Sequence, residues 1–115
     1  RSRHSAGTTI DLTLMRAGAA PAAAFDPTAA YGPCTAPLAQ RSPDNAVDMG
    51  TSFDCFDPAS YTASAAIGAE QRRWRNVLVA AMRKQGFANY DHEWWHFSYA
   101  GSAGAPAYDF PIRSP

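Results

Sequence analysis

The chain has 115 residues, of which 46% are hydrophobic and 12% aromatic, and its formal net charge at pH 7 is zero. These values are typical of one globular domain with a single modest core. An even charge balance removes the electrostatic attraction that drives nucleic-acid binding, and no apolar run approaches the roughly 20 residues of a membrane-spanning helix. We therefore expect no nucleic-acid partner and no membrane span.

The first informative pattern is Ser-x-His-x-x-Gly-x-x-x-Asp, which covers residues 2–11. Residues 9–14 alternate β-forming and polar side chains, which predicts a strand that presents Asp11 on one face. Gly7 would form the turn between His4 and this strand. Imidazole nitrogen and carboxylate oxygen are both ligands of Zn²⁺ in tetrahedral sites. His4 and Asp11 are therefore candidate metal ligands.

Residues 17–43 are rich in Ala, Pro, Gly and Thr and show little periodicity. Proline removes a backbone donor and breaks helices, so the dispersed prolines of this segment argue against a long helix. We predict an irregular surface insertion.

Cys34 lies in this insertion, and Cys55 directly follows Asp54. The two cysteines are too far apart for a CxxC metal knuckle, and no further cysteine completes a structural zinc site. We favour a disulfide, and two buried free thiols are the alternative. A disulfide across a loop of this size would stabilise the fold by about 3 kcal/mol in the chain-entropy treatment. It would also indicate a secreted or cell-envelope protein.

From residue 70 to residue 85, apolar side chains recur at helical spacing. They are Trp74, Val77, Leu78, Ala81 and Met82. The intervening positions are strongly basic and include Arg72, Arg73, Arg75, Arg83 and Lys84. The pattern predicts an amphipathic helix with a solvated basic face, capped at its C-terminus by Gly86.

Residues 94–99 are aromatic and β-prone, which predicts a strand that carries His96, with Glu93 at its start. We expect at least one of the two tryptophans that precede His96 to fill the core. Neighbouring side chains of a strand point to opposite faces, so His92, beside Glu93, should face away from a metal bound at His96.

The tail at residues 110–112 contains Pro111, which cannot donate to a central ladder and so predicts an edge segment. Together these elements predict an α+β fold for a single domain over residues 1–115. We expect a small, mostly antiparallel sheet with one main helix packed on it, and the metal site on the open face.

The two patterns at the ends of the chain resemble those of the zinc D-alanyl-D-alanine dipeptidases (VanX-type), which share a fold with the hedgehog signalling domain. Three further stretches fit this family and follow its order, namely residues 10–14, 49–54 and 108–112. The doubled tryptophan before His96 makes the resemblance more specific than either half-motif alone.

The resemblance implies a Zn²⁺ cofactor held by His4, Asp11 and His96, with Glu93 as the general base. It implies hydrolysis of the D-Ala-D-Ala dipeptide, in cell-wall peptide metabolism or glycopeptide resistance. Glu93 would take the proton of the attacking water and deliver it to the departing amine.

For the substrate, the resemblance implies that Asp54 holds the free ammonium group and that Ser2 forms a hydrogen bond beside the dipeptide. A longer peptide has no ammonium group at that point and would leave the carboxylate desolvated and unpaired. This difference is the physical source of dipeptidase selectivity.

Two other functions stay open. One is a zinc D,D-carboxypeptidase that acts on peptidoglycan stem peptides, although the presence of Asp54 favours a dipeptidase. The other is a non-catalytic, zinc-stabilised binding module, as the hedgehog domain shows to be possible on this fold.

Members of the family carry a substantial segment before the Ser-x-His motif, including an arginine that stabilises the oxyanion. No residue of this chain can be assigned that role. Termini fray unless they are tied down, and His4 lies close to the first residue, Arg1. We therefore expect a preceding segment or a companion chain that supplies the arginine.

Overall fold

The computed structural model describes residues 2–111 and 113. The regular elements are β1 (Thr9–Asp11), α1 (Ala69–Lys84), β2 (Phe87–Tyr90) and β3 (Glu93–Tyr99). Short 3-10 helices cover Arg3–Ala6, Leu38–Gln40, Pro58–Ser60 and Ala100–Ser102. The strands form one antiparallel sheet in the order β1-β3-β2, and α1 packs on it. The predicted α+β fold is confirmed.

The core lies between α1 and the central strand β3. Its fully buried side chains are Met49, Leu78, Trp94, Trp95 and Phe97. Both tryptophans are therefore core residues, and the indole of Trp94 donates a hydrogen bond to Thr51 Oγ1 at 2.9 Å. This bond satisfies the one polar atom of a large buried ring.

Strand β1 is shorter than the alternating pattern predicts. The Leu12 amide still donates to the Trp95 carbonyl at 3.0 Å, but the chain then leaves the sheet. Met15 forms an isolated antiparallel bridge with Ala46, and the Val47 amide donates to the Leu14 carbonyl at 2.9 Å. The end of the predicted strand, at Leu14, thus pairs with a loop instead of with β3.

Helix α1 begins and ends within one residue of the predicted bounds. Its last residue is Lys84 and its cap is Gln85, so Gly86, with a left-handed φ of 83°, lies one position beyond the cap. Glycine adopts this conformation without a steric cost.

The prediction of a solvated basic face is wrong for Arg75, which is 0% exposed, whereas Val77 of the predicted apolar stripe is 41% exposed. Arg75 Nε donates to the Met49 carbonyl at 2.8 Å. Its Nη1 donates to the carbonyls of Ala59 and Tyr61 at 2.9 and 2.7 Å. Burial lowers the pKa of this guanidinium to about 10. The side chain is buried because it supplies donors to a connecting segment that has no sheet partner.

The corner at Met49 and Gly50 is fixed by Asp48, which accepts from the Gly50 amide, Gln71 Nε2 and Arg41 Nη2 at 2.9, 2.7 and 2.6 Å. Burial alone would raise the pKa of Asp48, but these hydrogen bonds and the Arg41 charge outweigh it and hold the pKa below its ordinary value. Gly50 has a φ of 91°, and a Cβ there would lie 2.7 Å from Ile67 Cγ2. Only glycine fits this corner without a shift of Ile67.

Residues 17–43 contain a single 3-10 turn at Leu38–Gln40 and no strand or α-helix. The segment is joined to the rest of the fold by a disulfide between Cys34 and Cys55, whose Cα atoms are 5.6 Å apart. The Ser52 amide also donates to the Cys34 carbonyl at 2.8 Å. The disulfide therefore ties the irregular segment to the stretch that contains Asp54.

The prediction of an edge segment in the tail is wrong for Phe110 and Pro111, which are exposed and belong to no strand, and Ile112 lies outside the described residues. The tail is instead attached through the Tyr108 amide, which donates to the Ser5 carbonyl at 2.6 Å. In the part of the chain that the structure describes, none of the helices combines the length and the apolar character needed to cross a bilayer.

Candidate functional site

Three predicted metal ligands meet where β1 pairs with β3. His4 comes from the first 3-10 helix, Asp11 ends β1, and the strand register places Asp11 directly opposite His96. One candidate ligand atom from each residue lies within 4.8 Å of the others. The two imidazole rings stand edge to face with centroids 4.9 Å apart. Residues almost a full chain length apart thus form one site.

The turn after the 3-10 helix positions His4. Gly7 has a left-handed φ of 66°, and its amide donates to the His4 carbonyl at 3.0 Å. Ser2 stands at the N-terminus of the same helix, where its hydroxyl accepts from the His4 amide at 3.2 Å. These two bonds fold the short segment back over β1, as the predicted turn at Gly7 requires.

The carboxylate of Asp11 lies between the two imidazoles. His4 Nε2 is 3.3 Å from Asp11 Oδ2, and His96 Nδ1 is 3.1 Å from Asp11 Oδ1. Asp11 Oδ1 is buried, and despite the nearby ring nitrogen it accepts no well-aligned hydrogen bond. A buried carboxylate oxygen without a donor is costly, and a bound cation would relieve that cost. Two imidazoles and one carboxylate form a donor set that suits Zn²⁺.

Glu93 also faces this site, with Oε2 3.4 Å from His96 Nδ1. Residues three apart on a regular strand point to opposite faces, so this proximity needs an irregularity. The pairing of β2 with β3 shifts register between Asn89, which opposes Phe97, and Tyr90, which opposes Glu93. The shift breaks the alternation of burial in β3 and places Glu93 on the same side as His96.

A cleft of about 220 Å³ opens beside Glu93. Its aromatic lining consists of Phe56, Tyr61, Tyr90 and His92. The ring of His92 stacks on Tyr61 with centroids 4.2 Å apart, and its Nδ1 lies 3.2 Å from the Tyr90 hydroxyl. His92 is thus separate from the three-ligand cluster and forms part of the cleft wall. Sequence reasoning missed this lining, because nothing local signals that residues 56–61 approach the β2–β3 turn.

The structure does not bring the two predicted substrate residues into this cluster. Asp54 is exposed and has a left-handed φ of 57°, a conformation that costs a non-glycine residue roughly 1 kcal/mol. It lies between Phe53, whose ring packs on both tryptophans, and the buried Cys55. Within residues 2–111 and 113, no hydrogen bond or ion pair joins Asp54 or Ser2 to the three candidate ligands, apart from the Ser2 bond to the His4 amide.

Comparison with known proteins gives a consistent set of relatives. Residues 24–113 match the family model of the M15 peptidases that is described as D-ala-D-ala dipeptidase. The chain is 29% identical over 114 residues to the D-alanyl-D-alanine dipeptidase of Enterococcus faecium, 33% over 97 residues to that of Enterococcus faecalis and 32% over 113 residues to that of Streptomyces coelicolor.

These matches cover 98%, 84% and 97% of this chain but 45%, 36% and 44% of the relatives. The chain therefore spans less than half of the length of the curated relatives that it matches. The similarity to the Enterococcus faecium protein covers 98% of the chain, so it includes both ends of the site described above.

Proposed function

The chain belongs to the D-Ala-D-Ala dipeptidase family of M15 peptidases, and from this membership we propose that the protein hydrolyses the D-Ala-D-Ala dipeptide with a Zn²⁺ held by His4, Asp11 and His96. The observation that carries the proposal is the convergence of these three side chains with Glu93, whose carboxylate lies 3.4 Å from His96. A three-ligand cluster with a nearby, non-ligating carboxylate is the arrangement that metal-assisted hydrolysis needs.

The metal would supply Lewis-acid activation of a water molecule and of the scissile carbonyl when bound. His4, Asp11 and His96 would hold it, and the buried Oδ1 of Asp11, which accepts no hydrogen bond, would then have a partner. The M15 peptidases are zinc enzymes, which agrees with this donor set.

Glu93 acts as the general base. Its side chain is only 22% exposed and faces both the candidate ligands and the cleft. Its carboxylate accepts a proton from the attacking water and then donates it to the nitrogen of the departing amine. Glu93 can act as the base without being a metal ligand.

The choice of a dipeptide over a peptidoglycan stem peptide, and so of a dipeptidase over a carboxypeptidase, follows the family resemblance and Asp54. The free ammonium group of a dipeptide could pair with this carboxylate, whereas a longer peptide would leave it unpaired. We assign the substrate ammonium group to Asp54 and a hydrogen bond beside the dipeptide to Ser2, in line with the family resemblance.

We expect one zinc ion per chain. His96→Ala should weaken zinc binding more than about 100-fold, because even substitutions in the shell around metal ligands cost 10- to 100-fold. His92→Ala is the matched control and should keep its metal, since His92 lines the cleft and is not one of the three candidate ligands. Atomic emission spectroscopy after dialysis measures the stoichiometry. Full zinc retention in His96→Ala would contradict the ligand assignment.

We expect D-Ala-D-Ala to be hydrolysed and N-acetyl-D-Ala-D-Ala to be left intact. Asp54→Asn should slow dipeptide hydrolysis roughly 10- to 100-fold, because it removes a charge-assisted hydrogen bond worth about 1.5–3 kcal/mol. Asp109→Asn, in the exposed tail, is the control. Since the chain spans less than half of its relatives, the assay uses the complete gene product.

The same assay separates the alternative functions. Faster cleavage of the acetylated compound or of a stem pentapeptide would identify a carboxypeptidase. Cleavage of neither compound by the zinc-loaded gene product would indicate a binding module.

We propose a secreted or cell-envelope location, supported by the disulfide between Cys34 and Cys55. Disulfides persist in oxidising compartments and are rare in the cytosol. Thiol titration of the denatured protein, prepared without reductant from its natural host, should find no free thiol. Two reactive thiols would remove the support for this location.

A further inference from the structure

The side chain of Asn89 bridges the irregular part of β3. Asn89 is the last residue of β2 before the register shift, and its amide nitrogen donates to the carbonyls of Glu93 and His96 at 3.0 and 3.1 Å. These two residues are the predicted base and one predicted metal ligand. One side chain thus holds the backbone on both sides of the stretch that separates them.

Two backbone carbonyls and the hydroxyl of Thr62 together fix the orientation of this side chain. The two backbone carbonyls can only accept, so the group that faces them must be the NH₂ end of the amide. The Oδ1 end then accepts from Thr62 Oγ1 at 2.6 Å. The amide of Thr62 donates to the Asp91 carbonyl at 2.9 Å, which anchors Thr62 on the β2–β3 turn. Both donors and the acceptor of Asn89 are therefore satisfied.

The bridge matters because the register shift disturbs the ladder between β2 and β3. A regular strand would send Glu93 and His96 to opposite faces, whereas here Glu93 Oε2 lies 3.4 Å from His96 Nδ1. A bulge leaves backbone groups without their usual cross-strand partners. Asn89 donates to the carbonyls of Glu93 and His96, which lie on either side of the irregular stretch, and so stabilises the conformation that places base and ligand on one side.

We infer that Asn89, oriented by Thr62, is a positioning residue that holds Glu93 at its working distance from the metal site. Asn89 acts on the backbone of β3 through its two hydrogen bonds, and Thr62 acts through Asn89. The catalytic part of this inference rests on the proposed function, and the structural part does not.

Asn89→Asp tests the inference with almost no change of shape. A carboxylate cannot donate to the two carbonyls, and it would face them with like partial charge. Asn76→Asp, at an exposed position of α1, is the matched control. In the complete zinc-loaded gene product we expect kcat to fall about 10- to 100-fold with KM changed less than about threefold, because a misplacement of about 1 Å can cost 10²-fold. Zinc stoichiometry should stay at the wild-type value.

A second readout is independent of metal and activity. Hydrogen exchange followed by mass spectrometry on the metal-free protein should show faster exchange in the peptide that covers residues 93–99, with exchange in α1 unchanged. The Asn76→Asp control should match the wild type in both regions.

Two substitutions of Thr62 test the inference even if Asn89→Asp does not fold. Thr62→Val removes the hydroxyl and keeps the shape, and we expect it to reduce kcat about tenfold and to speed exchange in residues 93–99. Thr62→Ser retains the hydroxyl, so it should recover most of the lost rate. If the two Thr62 variants are equally stable, a higher rate in Thr62→Ser cannot be explained by a difference in global stability.

Unchanged kcat and unchanged local exchange in Asn89→Asp would overturn the inference. So would a loss of activity matched by faster exchange throughout α1, which would mean general destabilisation. If the wild-type gene product hydrolyses no dipeptide, the proposed function fails, and the exchange comparison still decides whether Asn89 holds β3.

Discussion

Glu93→Gln should keep its zinc and lose nearly all hydrolysis, with kcat about 10²- to 10⁴-fold lower. Glutamine has the shape of glutamate but cannot accept a proton from water. The variant therefore removes the base while it leaves the candidate ligands His4, Asp11 and His96 in place. Because Glu93 acts on water and not on substrate binding, KM should change little.

The measurement pairs zinc analysis with steady-state kinetics on D-Ala-D-Ala, using the complete gene product. Glu70→Gln is the matched control, because Glu70 is an exposed residue of α1 that pairs with Arg73 far from the cleft. Loss of zinc from Glu93→Gln would make Glu93 a ligand and leave Asp11 without its assigned role. Undiminished hydrolysis would place the base elsewhere.

Arg75→Met should lower the free energy of unfolding by about 3 kcal/mol. The substitution leaves the buried carbonyl of Met49 and the partly buried carbonyls of Ala59 and Tyr61 without their donor. Each unsatisfied buried group costs about 1–3 kcal/mol, and part of that total is offset because a guanidinium no longer has to be buried. Domains of this kind are stable by only about 5–15 kcal/mol, so the loss would be a large fraction.

Urea denaturation followed by tryptophan fluorescence measures this loss, since both Trp94 and Trp95 are core residues. Arg83→Met, on an exposed position of the same helix, is the control and should change stability by less than about 0.5 kcal/mol. A cost below about 1 kcal/mol for Arg75→Met would show that water or the rest of the connecting segment satisfies the three carbonyls.

Much of the fold could be predicted from local patterns. The helical spacing of apolar residues located α1 to within a residue at each end, and the aromatic run located β3. These signals are local because hydrogen bonds within a helix and alternation along a strand depend on neighbouring residues. The chemistry of the candidate ligands was also visible in the sequence, since His4, Asp11 and His96 stand in recognisable motifs.

The helix face was harder to predict. Arg75 is a charged residue in a basic stretch, and nothing in its neighbourhood distinguishes it from Arg72 or Arg73. It is buried because the segment from Met49 to Tyr61 presents carbonyls that need donors. These carbonyls belong to a distant part of the chain, so the spacing of apolar residues within the helix could not predict the burial of Arg75.

The geometry of the site also depends on contacts between distant parts of the chain, and the sequence by itself did not determine it. The sequence predicted the candidate ligands and the base, and it predicted the strands that carry Asp11 and His96. Only the tertiary structure decided that Glu93 and His96 share one side, because their spacing on a regular strand predicts the opposite. The register of β3 shifts against β2 at this point, and the side chain of Asn89 bonds the backbone on both sides of the irregular stretch. Register is a property of two strands together, and one strand's sequence does not contain it.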